Sequence, residues 1–129
     1  MKGKSAMLFT GYGKSFSTQN EAQYDTIGAF WDQMARRFGR ENLRGLGFGW
    51  GENSIEYVIG LKEGDMDPSL DWESAVYRQV PLPDDGWIRY TGKTDELPAL
   101  YDEIYKDGPL LYEIEAFWED GGCEILIRR

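Results

Sequence analysis

Leu110-Leu111-Tyr112-Glu113-Ile114-Glu115-Ala116-Phe117-Trp118 is the stretch on which the fold turns. Alternation marks it as a strand and puts the carboxylate of Glu115 and the ring of Phe117 on one face. Asp120-Gly121-Gly122 has the composition of a tight turn, and Cys123–Arg128 reads as the returning strand. Seventy residues earlier stands the same arrangement: a strand over Leu43–Trp50, the turn Gly51-Glu52-Asn53, and a strand over Ser54–Lys62.

Working outward, each pair of strands follows a helix. From Thr18 to Phe38 the apolar residues Tyr24, Ile27, Phe30, Trp31, Met34 and Phe38 recur at helical spacing, with Thr18-Gln19-Asn20-Glu21 as a capping box and Gly39 as the stop. The second helix spans Asp95–Lys106 behind Thr94 as N-cap, with Pro98 in its first turn, where proline is tolerated. Adding 70 carries Ile27, Phe30, Trp31 and Met34 onto Leu97, Leu100, Tyr101 and Ile104, and Gly51 onto Gly121. Strands are expected ahead of the helices over Ala6–Tyr12 and Gly86–Tyr90. They carry Phe9-Thr10-Gly11 and Tyr90-Thr91-Gly92 at a longer offset, and Ser74–Val80 is expected as an additional strand. The expectation is a duplicated strand-helix-strand-strand unit, with pseudo-repeats at about residues 1–63 and 73–129 of a single domain. Its class is α+β, with a mainly antiparallel curved sheet, two helices and a ligand cleft between pseudo-twofold halves.

Composition narrows the function. At 129 residues and 14.8 kDa the chain buries roughly two thirds of its unfolded surface in one core. It has 23 acidic against 14 basic residues and no histidine. Imidazole chemistry is excluded, and a net charge of −9 disfavours direct contact with nucleic acid while favouring cations. The single cysteine, Cys123, permits no internal disulfide and has no histidine to activate it. It fits a reducing cytoplasm. The basic start Met1-Lys2-Gly3-Lys4 precedes an apolar stretch too short for a secretory leader, and no segment is apolar enough to span a bilayer. No metal site, cofactor or membrane partner is expected.

Two motifs imitate phosphate loops. Gly13-Lys14-Ser15 and Gly92-Lys93-Thr94 lack the glycine five positions earlier, where Leu8 and Trp87 stand, so both read as loops leading into helices. Gly45, Gly47, Gly49 and Gly51 lead into another strand, not a helix, and so are no dinucleotide fingerprint. They leave one face of their strand bare, ready for a helix or for a ligand approaching the backbone. Trp31, Tyr57 and Trp118 are expected to line the cleft or fill the core, with Trp87 at its rim.

Together, Ala29-Phe30-Trp31-Asp32-Gln33-Met34, Ile55-Glu56-Tyr57-Val58-Ile59-Gly60, Val80-Pro81 with Tyr90-Thr91-Gly92, and Glu115-Ala116-Phe117 resemble the GyrI-like small-molecule-binding family. That family includes the effector-binding domains of AraC-type and MerR-type multidrug regulators as well as free-standing proteins. The resemblance implies a ligand pocket in which Glu115 meets cationic aromatic compounds, Phe117 is its aromatic neighbour, and Trp31 and Tyr57 stand at the cleft. Lys106-Asp107-Gly108-Pro109 replaces a longer, Trp-containing stretch of the family, so a more open cavity is expected.

The resulting expectation is a stand-alone protein that binds hydrophobic cations through Glu115, Phe117, Trp31, Tyr57, Trp118 and Gly47, for drug sensing or sequestration, with no catalytic residue assigned. Two alternatives come with the resemblance. One is hydrolysis of reactive natural products by a pocket glutamate. The other is a protein partner, either DNA gyrase or a transcription regulator that supplies the absent helix-turn-helix.

Overall fold

The computed structural model describes residues 7–72 and 75–129. Among these residues seven strands and two α-helices follow in the order β1 (Met7–Ser17), α1 (Gln23–Phe38), β2 (Leu43–Phe48), β3 (Ser54–Leu61), β4 (Val76–Leu82), β5 (Ile88–Lys93), α2 (Leu97–Lys106), β6 (Tyr112–Phe117) and β7 (Gly122–Arg128). The strands form one curved sheet in the order β4-β1-β3-β2-β6-β7-β5, and every neighbouring pair is antiparallel. The fold is α+β, as the periodicities imply.

Alternation sorts the core into two sides of the sheet. Tyr12 and Phe16 of β1, Tyr57 and Ile59 of β3 and Phe117 of β6 pack with Phe30, Trp31 and Met34 of α1. Ile125 and Ile127 of β7 pack with Ile104 of α2 on this same side. Odd-numbered neighbours of these β1 residues and even-numbered neighbours in the other strands point the opposite way, where Phe9, Leu46, Val58, Val80, Leu82 and Ile114 form a second cluster. Both helices thus lie over the face of β6 that carries Glu115 and Phe117.

The structure moves several local expectations. No capping box forms at Thr18-Gln19-Asn20-Glu21: Asn20 and Glu21 take left-handed backbone angles (φ 54° and 59°), which breaks the helix, and α1 starts at Gln23. Gly39, at φ 85°, does end it, in a conformation that costs a side-chain-bearing residue more. Thr94 does not cap α2 either. Its hydroxyl and its N–H both donate to Gly121 O in the β6–β7 turn, at 3.0 and 2.8 Å. Gly13-Lys14-Ser15 is not a loop but the middle of β1, paired with Tyr57 and its neighbours. The acidic segment after β3 is more than a connector: Tyr12 donates to Asp67 O at 2.7 Å, Leu70 N–H donates to Tyr12 at 2.8 Å, and Met66 is buried. The basic start Met1-Lys2-Gly3-Lys4, Ala6 at the start of the first expected strand, and Ser74 lie outside the described residues.

The bare face of β2 is covered from within its own sheet. Tyr57 from the adjacent β3 lies across it, so closely that a Cβ at Gly45 would stand 2.1 Å from the Tyr57 hydroxyl. Gly47, one step along, faces Ile55, Tyr57 and Trp50. Gly45→Ala is therefore expected to destabilise the protein by about 1–3 kcal/mol in urea denaturation, the usual cost of overpacking. The penalty should shrink in a Tyr57→Phe background, where the nearest clashing atom is gone. Equal penalties in both backgrounds would contradict this packing.

Candidate ligand-binding cavity

The sheet places Glu115 on an interior strand, beside the central β2. In β6 it pairs with Gly45 of β2 on one side and Ile125 of β7 on the other, so its side chain rises from the floor between the two helices. Above that floor is a cavity of about 710 Å³, walled by α1, α2 and the helix-facing residues of β3 and β6. Among the described residues no cation pairs with Glu115; two hydroxyls hold it in place. Tyr57 donates its hydroxyl to one carboxylate oxygen and Tyr101, from α2, donates to the other. Trp31 of α1 donates its indole N–H to the Tyr57 hydroxyl at 2.8 Å. Burial first, then the negative charge of Glu115, raises both tyrosine pKa values well above the ordinary range, so both remain protonated donors.

Two tyrosine hydroxyls occupy part of a carboxylate's capacity of about four hydrogen bonds, leaving acceptor sites free. Among the described residues no Arg or Lys forms an ion pair with Glu115. Its half-buried charge is thus oriented and solvated by hydroxyls without being neutralised.

Glu113 lies two residues earlier on the same strand face and also lines the cavity. It is 7 % exposed and accepts a hydrogen bond from Tyr105 of α2 at 2.7 Å. Burial, and next the charge of Glu115, pushes its carboxyl pKa up to about 8, against the opposing pull of Tyr105. Asp25 and Asp32 add carboxylates along α1, while Arg40 is the sole basic residue among those lining the cavity. Gln23 contributes a buried side-chain oxygen with no partner among the described residues.

The residues singled out in the sequence divide in their placement. Glu115, Phe117, Trp31 and Tyr57 meet in this cavity, and Trp31 and Tyr57 are at once core and wall, at 4 % and 3 % exposed. Gly47 is not at the wall; Ile55, Tyr57 and Trp50 cover it. Trp118 lies past the end of β6 in a separate, smaller hollow of about 450 Å³, where its ring carries the Lys62 ammonium 4.1 Å from its centroid. Trp87 is no rim residue. It packs against Tyr112 on the opposite side of the sheet and donates to Pro83 O at 2.8 Å.

Glu113, Tyr101, Tyr105 and Arg40 were not anticipated. Glu113 was open to the same alternation that singled out Glu115, and Tyr101 stands 70 residues after Trp31. Tyr105 follows Tyr101 by one helical turn. Arg40 had no periodic signal, since it lies beyond the helix stop.

Among the described residues no group of His, Cys, Asp and Glu could hold a metal ion, and no helix is long and apolar enough to cross a membrane. Cys123 is buried at the sheet, and burial raises its thiol pKa. The chain matches no protein-family model and no curated protein.

The raised pKa of Glu113 makes a stability prediction with a definite sign. The unfolded chain releases this proton near pH 4.5 and the folded chain near pH 8, so the native state loses stability as pH rises through that interval and no further above it. Glu113→Gln removes the loss. Urea titrations should find the variant close to wild type at about pH 5 and more stable by a few kcal/mol at about pH 9. A difference that does not change with pH would contradict the assignment.

Proposed function

We propose that this chain reversibly binds planar, hydrophobic cations in the cavity beneath its two helices, with Glu115 as the countercharge. The carrying observation is a carboxylate fixed by Tyr57 and Tyr101 and left without a basic partner among the described residues, inside an aromatic cavity. A guest cation supplies the missing positive charge without displacing either tyrosine. Each favourable cation–π contact with the surrounding rings adds roughly 0.5–2 kcal/mol. The cavity volume falls in the range that encloses drug-sized molecules.

The strand order supports the further reading that the cavity lies between two related halves. Without β4, the order β1-β3-β2-β6-β7-β5 puts equivalent strands at equal distances from the centre. At that centre Gly45 pairs with Glu115, the residue 70 positions later, as a twofold axis through the pair requires. Trp31 and Tyr101, equivalent by the same offset, reach Glu115 from opposite helices, one through Tyr57 and one directly. These features agree with the resemblance to GyrI-like effector-binding domains and with a role in sensing or sequestering drug-like cations.

One observation favours a second reading, hydrolysis of an electrophilic guest. Two carboxyl groups in different environments face one cavity, and Glu113 retains its proton at neutral pH. Glu115 would take a proton from the attacking water, while Glu113 would protonate the departing oxygen. Consumption of a reactive substrate by wild type, lost in both Glu113→Gln and Glu115→Gln, would favour this reading over simple binding.

For the binding reading, quenching of tryptophan fluorescence by a quaternary aromatic cation such as ethidium gives the affinity. Glu115→Gln should weaken it about ten- to hundredfold, as loss of a charge-assisted contact implies. Wild-type affinity should also rise as pH passes through about 8, because ionised Glu113 adds a second negative charge, and Glu113→Gln should flatten that rise. Equal affinities of wild type and Glu115→Gln would remove Glu115 from the account.

A further inference from the structure

Arg40 occupies the aromatic surface that a guest cation would otherwise use. It follows Gly39 at the end of α1, and its guanidinium carbon lies 4.2 Å from the Phe117 ring centroid and 5.6 Å from that of Trp31. Among the described residues its guanidinium enters no hydrogen bond or ion pair. A guanidinium carries five N–H donors in a planar fork, and a ring supplies no conventional acceptor for them. Along β6, Phe117 lies two residues, about 7 Å, beyond Glu115. Along this strand face the cavity thus carries Glu113 and Glu115 first and then the Arg40 guanidinium over Phe117.

We infer that the cavity selects amphoteric guests, planar cations that also carry a carboxylate or comparable acceptor, with Arg40 as the residue that reads the acceptor. The inference rests on the cation-binding reading and adds a second point of recognition to it. The positive group is steered toward Glu115 because Arg40 repels it from Phe117, and the acceptor completes the unmet donors of Arg40. The remaining field opposes this preference: Asp25, Asp32 and a net charge of −9 disfavour an added carboxylate. Selection for an acidic guest must therefore come from Arg40 itself.

Rhodamine B and its ethyl ester share one cationic ring system and differ in whether the pendant carboxyl is free or blocked. Fluorescence polarisation with the full chain should show the free acid bound about three- to tenfold more tightly than the ester. Arg40→Met, which keeps an apolar stem on Phe117, should erase the difference by weakening the acid alone. Arg40→Lys, charged but without the planar fork, should retain only part of it. An ester bound as tightly as the acid by wild type, or a preference that survives Arg40→Met, would overturn the role of Arg40. If in that case Glu115→Gln still weakens both dyes, the cation-binding reading stands without it. Dye affinities unchanged by Glu115→Gln, or no binding of either dye to wild type, would defeat both.

Discussion

Everything in the cavity depends on one hydrogen-bonded chain, running from the Trp31 indole to the Tyr57 hydroxyl and on to Glu115, with Tyr101 closing it from the other side. A carboxylate on a half-buried sheet face loses hydration, and the tyrosines replace that water with fixed donors. Gly45 is what makes this geometry possible, since Tyr57 reaches Glu115 only by lying across a position with no side chain. The glycine of one strand, the tyrosine of the next and the glutamate opposite form a single unit. Its energetic role is to hold a negative charge still without neutralising it.

Around that unit the charges are arranged unevenly. Glu113, beneath Tyr105, holds a proton at neutral pH because burial and the charge of Glu115 both oppose its ionisation. Arg40 stands off from both acids, spread over Phe117 and Trp31. On the binding reading proposed above, a guest would meet a fixed negative site, a proton that can be released, and a guanidinium over Phe117. Hydrophobic area supplies much of the affinity in such a cavity, while these three groups fix orientation and choice.

Much of the architecture was legible because it rests on periodicity. The apolar stripe through Phe30, Trp31 and Met34 marks α1, and alternation around Glu115 marks β6 and its helix-facing side. The start of α1 was not legible: Thr18 to Glu21 has capping composition, yet Asn20 and Glu21 take left-handed angles that composition does not reveal. In the site, Glu115 stood out by alternation and residue type, while Trp31 and Tyr57 were left between core and cleft by the residues alone and were set at the cleft by the resemblance. What covers Gly45 was not, because the side chain over a bare strand face is set by the register of β2 against β3. Arg40 escaped notice for a related reason, since its place over Phe117 is fixed by the turn after Gly39 and by no repeat in the sequence. Trp118 and Trp87 carry the right residue type on the wrong surfaces.

The most direct measurement is a crystal structure of the protein grown with a planar aromatic cation. The account predicts the ring system inside the cavity, its positive group within about 4 Å of a Glu115 oxygen, and both tyrosine hydroxyls still on that carboxylate. A cation bound elsewhere, or one seated in the cavity with its charge turned away from Glu115, would contradict it.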